Sequence, residues 1–195
     1  MDMFSHRLML HYLANLGEAS GDFTASPHSD HASEHVEQLL LTRNDWMPNN
    51  SSHPVRLYRQ ALNGKGLPDP AGTQQLFKAH GWPAQWVDGI YPYHHYHSNA
   101  HEVLGVIQGQ ARLMLGGPGG QELSVQAGDV LVLPAGTGHC NLGSSDDFLV
   151  VGGYPQGQQP DLCSSAPTDE QQHAIDQTPY PCLLYTSDAA DDTPC

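Results

Sequence analysis

The sequence predicts an all-β domain, built as a sandwich or barrel and interrupted by one short helix. Eight short apolar segments lie between turns rich in glycine, proline and polar residues, and this pattern is typical of antiparallel sheets. The predicted strands span residues 38–42, 55–59, 102–108, 111–115, 122–125, 130–133, 138–142 and 148–151. Gly109 and the glycine-rich stretch 116–120 provide tight turns, so we expect consecutive strands to run antiparallel.

The helix is predicted over residues 70–80, where three terminal signals coincide. Asp69 can cap the N-terminus, and Pro70 suits the first helical position. Gly81 can adopt the left-handed conformation that often follows a helix. These signals define both ends of the element.

The domain is predicted to occupy residues 36–168, because a chain of 195 residues suits one domain with appendages. Residues 1–35 have no sustained hydrophobic period and are predicted to be a mobile extension. Residues 169–195 carry no Lys or Arg and are predicted to be disordered. The closing string CLLYTSDAADD also resembles a translated sequencing adapter, so this tail need not be native.

Charge and hydropathy limit the partners. Seven Lys and Arg against 21 Asp and Glu give a net charge of −14, which is opposite to the basic footprint of a nucleic-acid-binding protein. No run approaches the roughly 18 apolar residues of a membrane span. The four cysteines form no C-x-x-C pair, which favours a reducing cytoplasm. We therefore expect a small-molecule substrate or ligand, no nucleic acid, no membrane, and a homodimer formed through sheet edges.

Two stretches contain side chains with the spacing of a metal site. In YHHYHSNAHEVLG, His95 and His97 alternate along a strand, so both imidazoles face one side, and Glu102 opens the next strand. In GDVLVLPAGTGHCNL, Pro134 ends one strand and His139 lies on the following one. Three imidazoles and one carboxylate suit a divalent transition metal, namely Fe(II), Mn, Ni, Cu or Zn, and an octahedral ion would keep open positions.

These stretches resemble the two motifs of the cupin superfamily, G-x5-H-x-H-x4-E-x6-G and G-x5-P-x-G-x2-H-x3-N. The first is matched in full from Gly89 to Gly109, and the second is matched from Gly128 to His139. Gly143 stands where the second motif ends in asparagine, and this departure leaves the four ligand positions intact.

The wider segment resembles a group of bacterial single-domain cupins, the YjlB-like proteins, which lack an assigned reaction. The resemblance implies a cupin jelly-roll, that is, a double-stranded β-helix barrel. It also implies a metal held by His95, His97, Glu102 and His139. A fold alone does not name a substrate.

For function, we expect a small-molecule enzyme of dioxygenase type in which Glu102, the only anionic ligand, has a catalytic role. Two alternatives stay open. One is a metal-supported small-molecule or sugar-binding module without turnover, and the other is a metal-dependent isomerase or hydrolase.

Other residues near the motifs are assigned structural roles. His94 and His101 neighbour ligands in sequence and are predicted to point away from them, towards the surface or behind the ligands. Cys140 is predicted to be a buried thiol. Arg112 is predicted to point outward, since its neighbours in the strand are apolar.

The aromatic residues are less decisive. Tyr91, Tyr93 and Tyr96 can hydrogen-bond a substrate or pack a half-buried strand. Trp82 and Trp86 of GWPAQW are predicted to cover an open end of the barrel rather than to bind a ligand.

Overall fold

The computed structural model describes residues 36–63 and 68–181, and within these ranges it contains nine strands and two helices. The strands are β1 (Val36–Leu39), β2 (Val55–Tyr58), β3 (Ala84–Asp88), β4 (Glu102–Gln108), β5 (Gln110–Leu115), β6 (Gln121–Gln126), β7 (Val130–Leu133), β8 (His139–Ser144) and β9 (Leu149–Gly153). The helices are α1 (Pro70–Ala79) and α2 (Asp169–Gln177). The extension predicted over 1–35 and the tail beyond 181 lie outside the described residues. No helix within the described part of the chain is long and apolar enough to cross a membrane.

Two antiparallel sheets form the predicted jelly-roll. The larger sheet has the order β1-β2-β7-β4-β9-β3 and the smaller has the order β6-β5-β8. Apolar side chains from both sheets meet in one core cluster, which places the sheets face to face. The cluster consists of Val55, Leu57, Ile90, Leu104, Val106, Ala111, Leu113, Leu115, Val125, Leu131, Leu133, Phe148 and Val150.

Alternation along β4 decides which side chains point between the sheets. Leu104 and Val106 belong to the cluster between the sheets, whereas Val103 and Ile107 belong to a second cluster on the outer face. Glu102 has the same parity as Leu104, so its carboxylate points into the barrel. The strand that builds the core therefore also positions the carboxylate.

Helix α1 covers the outer face of the larger sheet, as its sequence signals predict. The Asp69 side chain accepts a hydrogen bond from the backbone N–H of Gly72 at 2.9 Å. Phe77 packs so closely on β4 that a Cβ added at Gly105 would lie 2.9 Å from its ring. The missing side chain at Gly105 thus lets the helix seat on the sheet.

Strand β3 was not predicted, because AQWVD is short, follows a proline and has no clean alternation. It is an edge strand whose hydrogen bonds come from β9. Trp82 packs, but it is buried in the cluster on the outer face of the larger sheet and does not cover an open end of the barrel as predicted. Gly109, with φ of +69°, carries the chain from the larger sheet to the smaller and does not close a hairpin.

The prediction of disorder from residue 169 onward is wrong for α2, and the prediction of one helix is therefore wrong as well. The Thr168 side chain accepts from the backbone N–H of Gln171, whose side chain bonds back to Thr168 N–H, and this capping box starts the helix. Ile175 is 3% exposed and packs in a cluster with Met47. The composition of this segment does not predict α2, because the helix is stabilised by one buried side chain, Ile175, and one capping box at Thr168.

His101 is buried and forms a hydrogen bond to the segment that follows α2. It points away from the predicted ligands, as expected, but it is fully buried. Its Nδ1 accepts the backbone N–H of Ala135 at 2.8 Å, so Nε2 carries the proton and faces the carbonyl of Thr178 at 3.2 Å. A single imidazole thus joins the loop after β7 to the C-terminal segment.

We expect Ile175→Ala to lower the free energy of unfolding by about 2–5 kcal/mol, because the truncation leaves a cavity between α2 and the barrel. The measurement is urea denaturation of the full chain. His173→Ala on the exposed side of the same helix is the matched control and should change the free energy by less than about 0.5 kcal/mol. Equal effects of the two variants would show that α2 does not contribute to the core.

Candidate metal centre

The three predicted histidines meet at one place in the barrel. His95 and His139 form an antiparallel bridge, in which His95 N–H donates to His139 O at 3.1 Å and His139 N–H donates to His95 O at 2.9 Å. His97 follows two residues later and lies outside any strand, so the strand predicted through His95 and His97 is reduced to an isolated bridge at His95. One nitrogen from each ring lies within 4.8 Å of the other two, so the three rings form a group that can hold a metal ion.

The ring orientations are set by backbone carbonyls. The Nδ1 atom of each histidine faces a carbonyl oxygen, at 3.0 Å for both His95 and His139, and His97 Nδ1 makes the corresponding contact. The accepting carbonyls belong to Tyr93, Thr137 and Asp161, respectively. Because a carbonyl can only accept, each Nδ1 carries a proton, and in the neutral form of each ring the lone pair is on Nε2.

Glu102 lies beside two of these nitrogens. Its Oε2 is 3.5 Å from Nε2 of His97 and 3.3 Å from Nε2 of His139. The residue is 2% exposed, and its Oε2 has no hydrogen-bond partner among the described residues. A buried, unpartnered carboxylate oxygen is costly, and a divalent cation would remove that cost. The donor set, three imidazole nitrogens and a carboxylate, therefore fits a transition metal.

Electrostatics favour the protonation states that a metal requires at His95 and Glu102, but act in the opposite direction at His97. Burial lowers the pKa of His95 to about 3, with His139 adding to the effect. Burial would also lower the pKa of His97, but the Glu102 carboxylate outweighs it and raises that pKa. Burial acts to raise the pKa of Glu102, yet His97 and His139 hold it well below its usual range. Glu102 is thus ionised and His95 neutral at pH 7.

The support for His97 comes from a distant part of the chain. Asp161 provides the carbonyl that orients the ring, and its carboxylate accepts from the backbone N–H and the hydroxyl of Ser98, each at 2.6 Å. Its own N–H donates to the side chain of Asn99 at 3.0 Å. Nothing in the two sequence motifs indicates this loop, since Asp161 lies outside both of them and 64 residues after His97.

A cavity of about 330 Å³ opens onto the group. The three histidines and Glu102 lie in its wall. The other lining residues are Trp86, Asp88, Gly89, Ile90, Tyr91, Leu104, Tyr154, Pro160, Asp161 and Leu162. Such a volume suits a small organic molecule.

Sequence reasoning missed two aromatic residues of this wall. Trp86 was expected only to pack, but on β3 it donates Nε1–H to the Tyr154 hydroxyl at 3.0 Å. Tyr154, just after β9, lies edge-on to His97 and next to Glu102. Both depend on the β3–β9 pairing, which no local pattern indicates.

The structure separates the three tyrosines of the first motif. Tyr91 lines the cavity and Tyr93 stacks on it with ring centroids 4.9 Å apart. Tyr96 is fully buried, and its hydroxyl donates to the carbonyl of Ser165. Tyr91 is thus the only one of the three in the cavity wall, while Tyr96 has a packing role.

The remaining expectations for the motif neighbourhood agree with the structure. Cys140 is buried and free, and Arg112 points outward and pairs with Glu122 at 3.5 Å. His94 is half-buried and is not part of the histidine group.

The fold is thus a barrel of two antiparallel sheets whose inward-facing histidines could hold a metal ion. Residues 88–170 match the family model described as Cupin. The chain is also 40% identical over 131 residues to the protein named Uncharacterized protein YjlB of Bacillus subtilis (strain 168), covering 67% of this chain and 76% of that protein. The chain therefore belongs to the cupin family.

Two solved structures show more distant likeness. A DUF861 family protein from Thermotoga maritima is 16% identical, with a TM-score of 0.30, covering 50% of this chain and 96% of that chain. A variant of oxalate decarboxylase from Bacillus subtilis is 23% identical, with a TM-score of 0.32, covering 57% of this chain and 27% of that chain.

We expect His97→Ala and His139→Ala each to lower metal affinity by more than about tenfold, because losing even an outer-shell partner of a ligand costs that much. His94→Ala should leave metal content unchanged, since its ring does not belong to the group. Elemental analysis of tag-free protein after metal loading decides this. Equal losses in all three variants would contradict the assignment of the facing rings.

Metal affinity should fall as pH decreases from 8 to 5.5, because a proton competes for His97, whose pKa the Glu102 carboxylate raises. His95 contributes little in this range, since its pKa of about 3 leaves it neutral already. Calorimetric titration in two buffers of different ionisation enthalpy should show proton release on binding, growing towards lower pH. An affinity independent of pH would contradict this protonation scheme.

Proposed function

We propose that this cupin is a metal-dependent small-molecule enzyme of dioxygenase type, with His95, His97, Glu102 and His139 as the metal ligands. One observation carries the proposal. Three imidazoles, each with Nδ1 fixed on a backbone carbonyl, direct their Nε2 atoms to the place where the Oε2 atom of Glu102 lacks a partner. Outer contacts of this kind orient ligands before the metal binds.

The ligand set also supports turnover. Four protein ligands are fewer than the six of an octahedral ion, so a substrate can bind in addition. A redox-active ion such as Fe(II) would supply electron transfer between an organic substrate and dioxygen. Glu102 gives the set one negative charge, which partly neutralises a divalent ion.

The cavity wall adds a fixed proton donor. Burial raises the pKa of Tyr154, and the neighbouring Glu102 carboxylate raises it further, so the hydroxyl keeps its proton at pH 7. Because this hydroxyl already accepts from Trp86, its own proton is free to be donated towards Glu102 or a ligand oxygen. The residue can thus orient a bound molecule without changing its own charge.

The test is dioxygen consumption by Fe(II)-loaded full chain in the presence of a panel of small hydroxylated and carbonyl compounds. We expect consumption only with a compound that enters the cavity, and none with Zn-loaded protein, since zinc has no accessible redox change. Glu102→Gln should reduce the rate by more than about tenfold, because it removes the only anionic ligand.

Two results would redirect the proposal. Conversion of a compound by the Zn form without dioxygen would favour a metal-dependent isomerase or hydrolase. Binding of several compounds without turnover by any metal form would favour a small-molecule or sugar-binding module.

A further inference from the structure

The cavity wall beside the histidine group is aromatic on one side. Trp86 and Tyr154 are joined by the hydrogen bond of 3.0 Å between the indole N–H and the hydroxyl. The indole ring lies directly over Gly152, where an added Cβ would be 2.0 Å from the ring atom Cε2. The close approach of Gly152 and the bond to Tyr154 hold the indole in one position. This pair is a rigid flat wall next to Glu102.

The mouth of the cavity is apolar and acidic. Tyr91 and Leu162 line it, and each is 52% exposed. Besides Glu102, the cavity lining contains two acidic residues, Asp88 and Asp161. Asp88 is exposed, and one of its carboxylate oxygens accepts a hydrogen bond from the backbone N–H of Gly89. Carboxylates repel an anionic ligand, whereas aromatic and aliphatic walls favour a flat apolar body.

We propose that the site takes a small organic molecule that binds the metal through oxygen and has an uncharged, aromatic or similarly flat body. The body lies against the pair Trp86 and Tyr154, and its far end reaches the mouth between Tyr91 and Leu162. The exposed Asp88 carboxylate repels ligands whose far end is a carboxylate. This inference rests on the proposed function, because the oxygen head needs a bound metal.

The experiment compares three hydroxamic acids with the same metal-binding head on Co(II)-loaded full chain, followed by the visible spectrum of the metal. Acetohydroxamic acid has almost no body, benzohydroxamic acid has an aromatic body, and succinic monohydroxamic acid has a body that ends in a carboxylate. We expect benzohydroxamic acid to bind about tenfold or more tightly than the succinic compound, a difference typical of buried apolar surface and charge repulsion.

Two variants test the wall and the mouth separately. Trp86→Leu should bring the affinity for benzohydroxamic acid close to that which the same variant has for acetohydroxamic acid. Leu162→Arg places a cation on the exposed mouth and should raise the affinity for the succinic compound at least about threefold. Leu142→Arg is the matched control, since Leu142 is also exposed but does not line the cavity, and it should have no such effect.

The outcomes separate the two proposals. If acetohydroxamic acid binds but all three hydroxamic acids bind with the same affinity, the proposed substrate class is wrong while the metal site stands. The same holds if the succinic compound binds most tightly. If Co(II) loads and none of the hydroxamic acids changes its spectrum, the open metal position fails, and the proposed function fails with it.

Discussion

The metal centre depends on one repeated interaction, the hydrogen bond from a histidine Nδ1 to a backbone carbonyl. Each bond fixes the orientation of a ring, so the three Nε2 atoms converge. For His95 and His139 the carbonyl lies two residues earlier in the same segment, so the local backbone suffices. For His97 it belongs to Asp161, so that ring requires the loop after β9 to be folded. The site is therefore a product of the whole barrel.

The same loop is tied to the C-terminal segment, which links the site to the stability of the fold. The Sγ atom of Cys163 donates to the Asp161 carboxylate at 3.1 Å, and Gln171 of α2 donates to that Sγ at 3.2 Å. His101 directly precedes Glu102, and its Nε2 atom bonds to the carbonyl of Thr178 beyond α2. Loosening α2 would thus reach both His97 and Glu102. The helix that composition failed to predict supports the ligands that the motifs identified.

The sequence could predict the features that depend on local periodicity and fixed spacing. Alternation located eight strands, the capping residues located α1, and the motif intervals identified the three histidines that meet in the barrel and the glutamate beside two of them. Features that depend on pairing between distant segments could not be predicted. Strand β3 depends on hydrogen bonds from β9. Helix α2 depends on the packing of Ile175 against Met47. The sheet brings Tyr154 next to Glu102. Of the four proposed ligands, Glu102 and His139 open strands, whereas His95 lies in an isolated bridge and His97 lies outside any strand.

The central claim is that His95, His97, Glu102 and His139 together hold one metal ion with room for a substrate. X-ray absorption spectroscopy of Co(II)-loaded full chain tests this most directly, because it counts the atoms around the metal. The account predicts three imidazole nitrogens at about 2.0–2.2 Å together with at least two oxygens, and no sulfur. Two or fewer imidazoles, or a thiolate from Cys140 or Cys163, would contradict it.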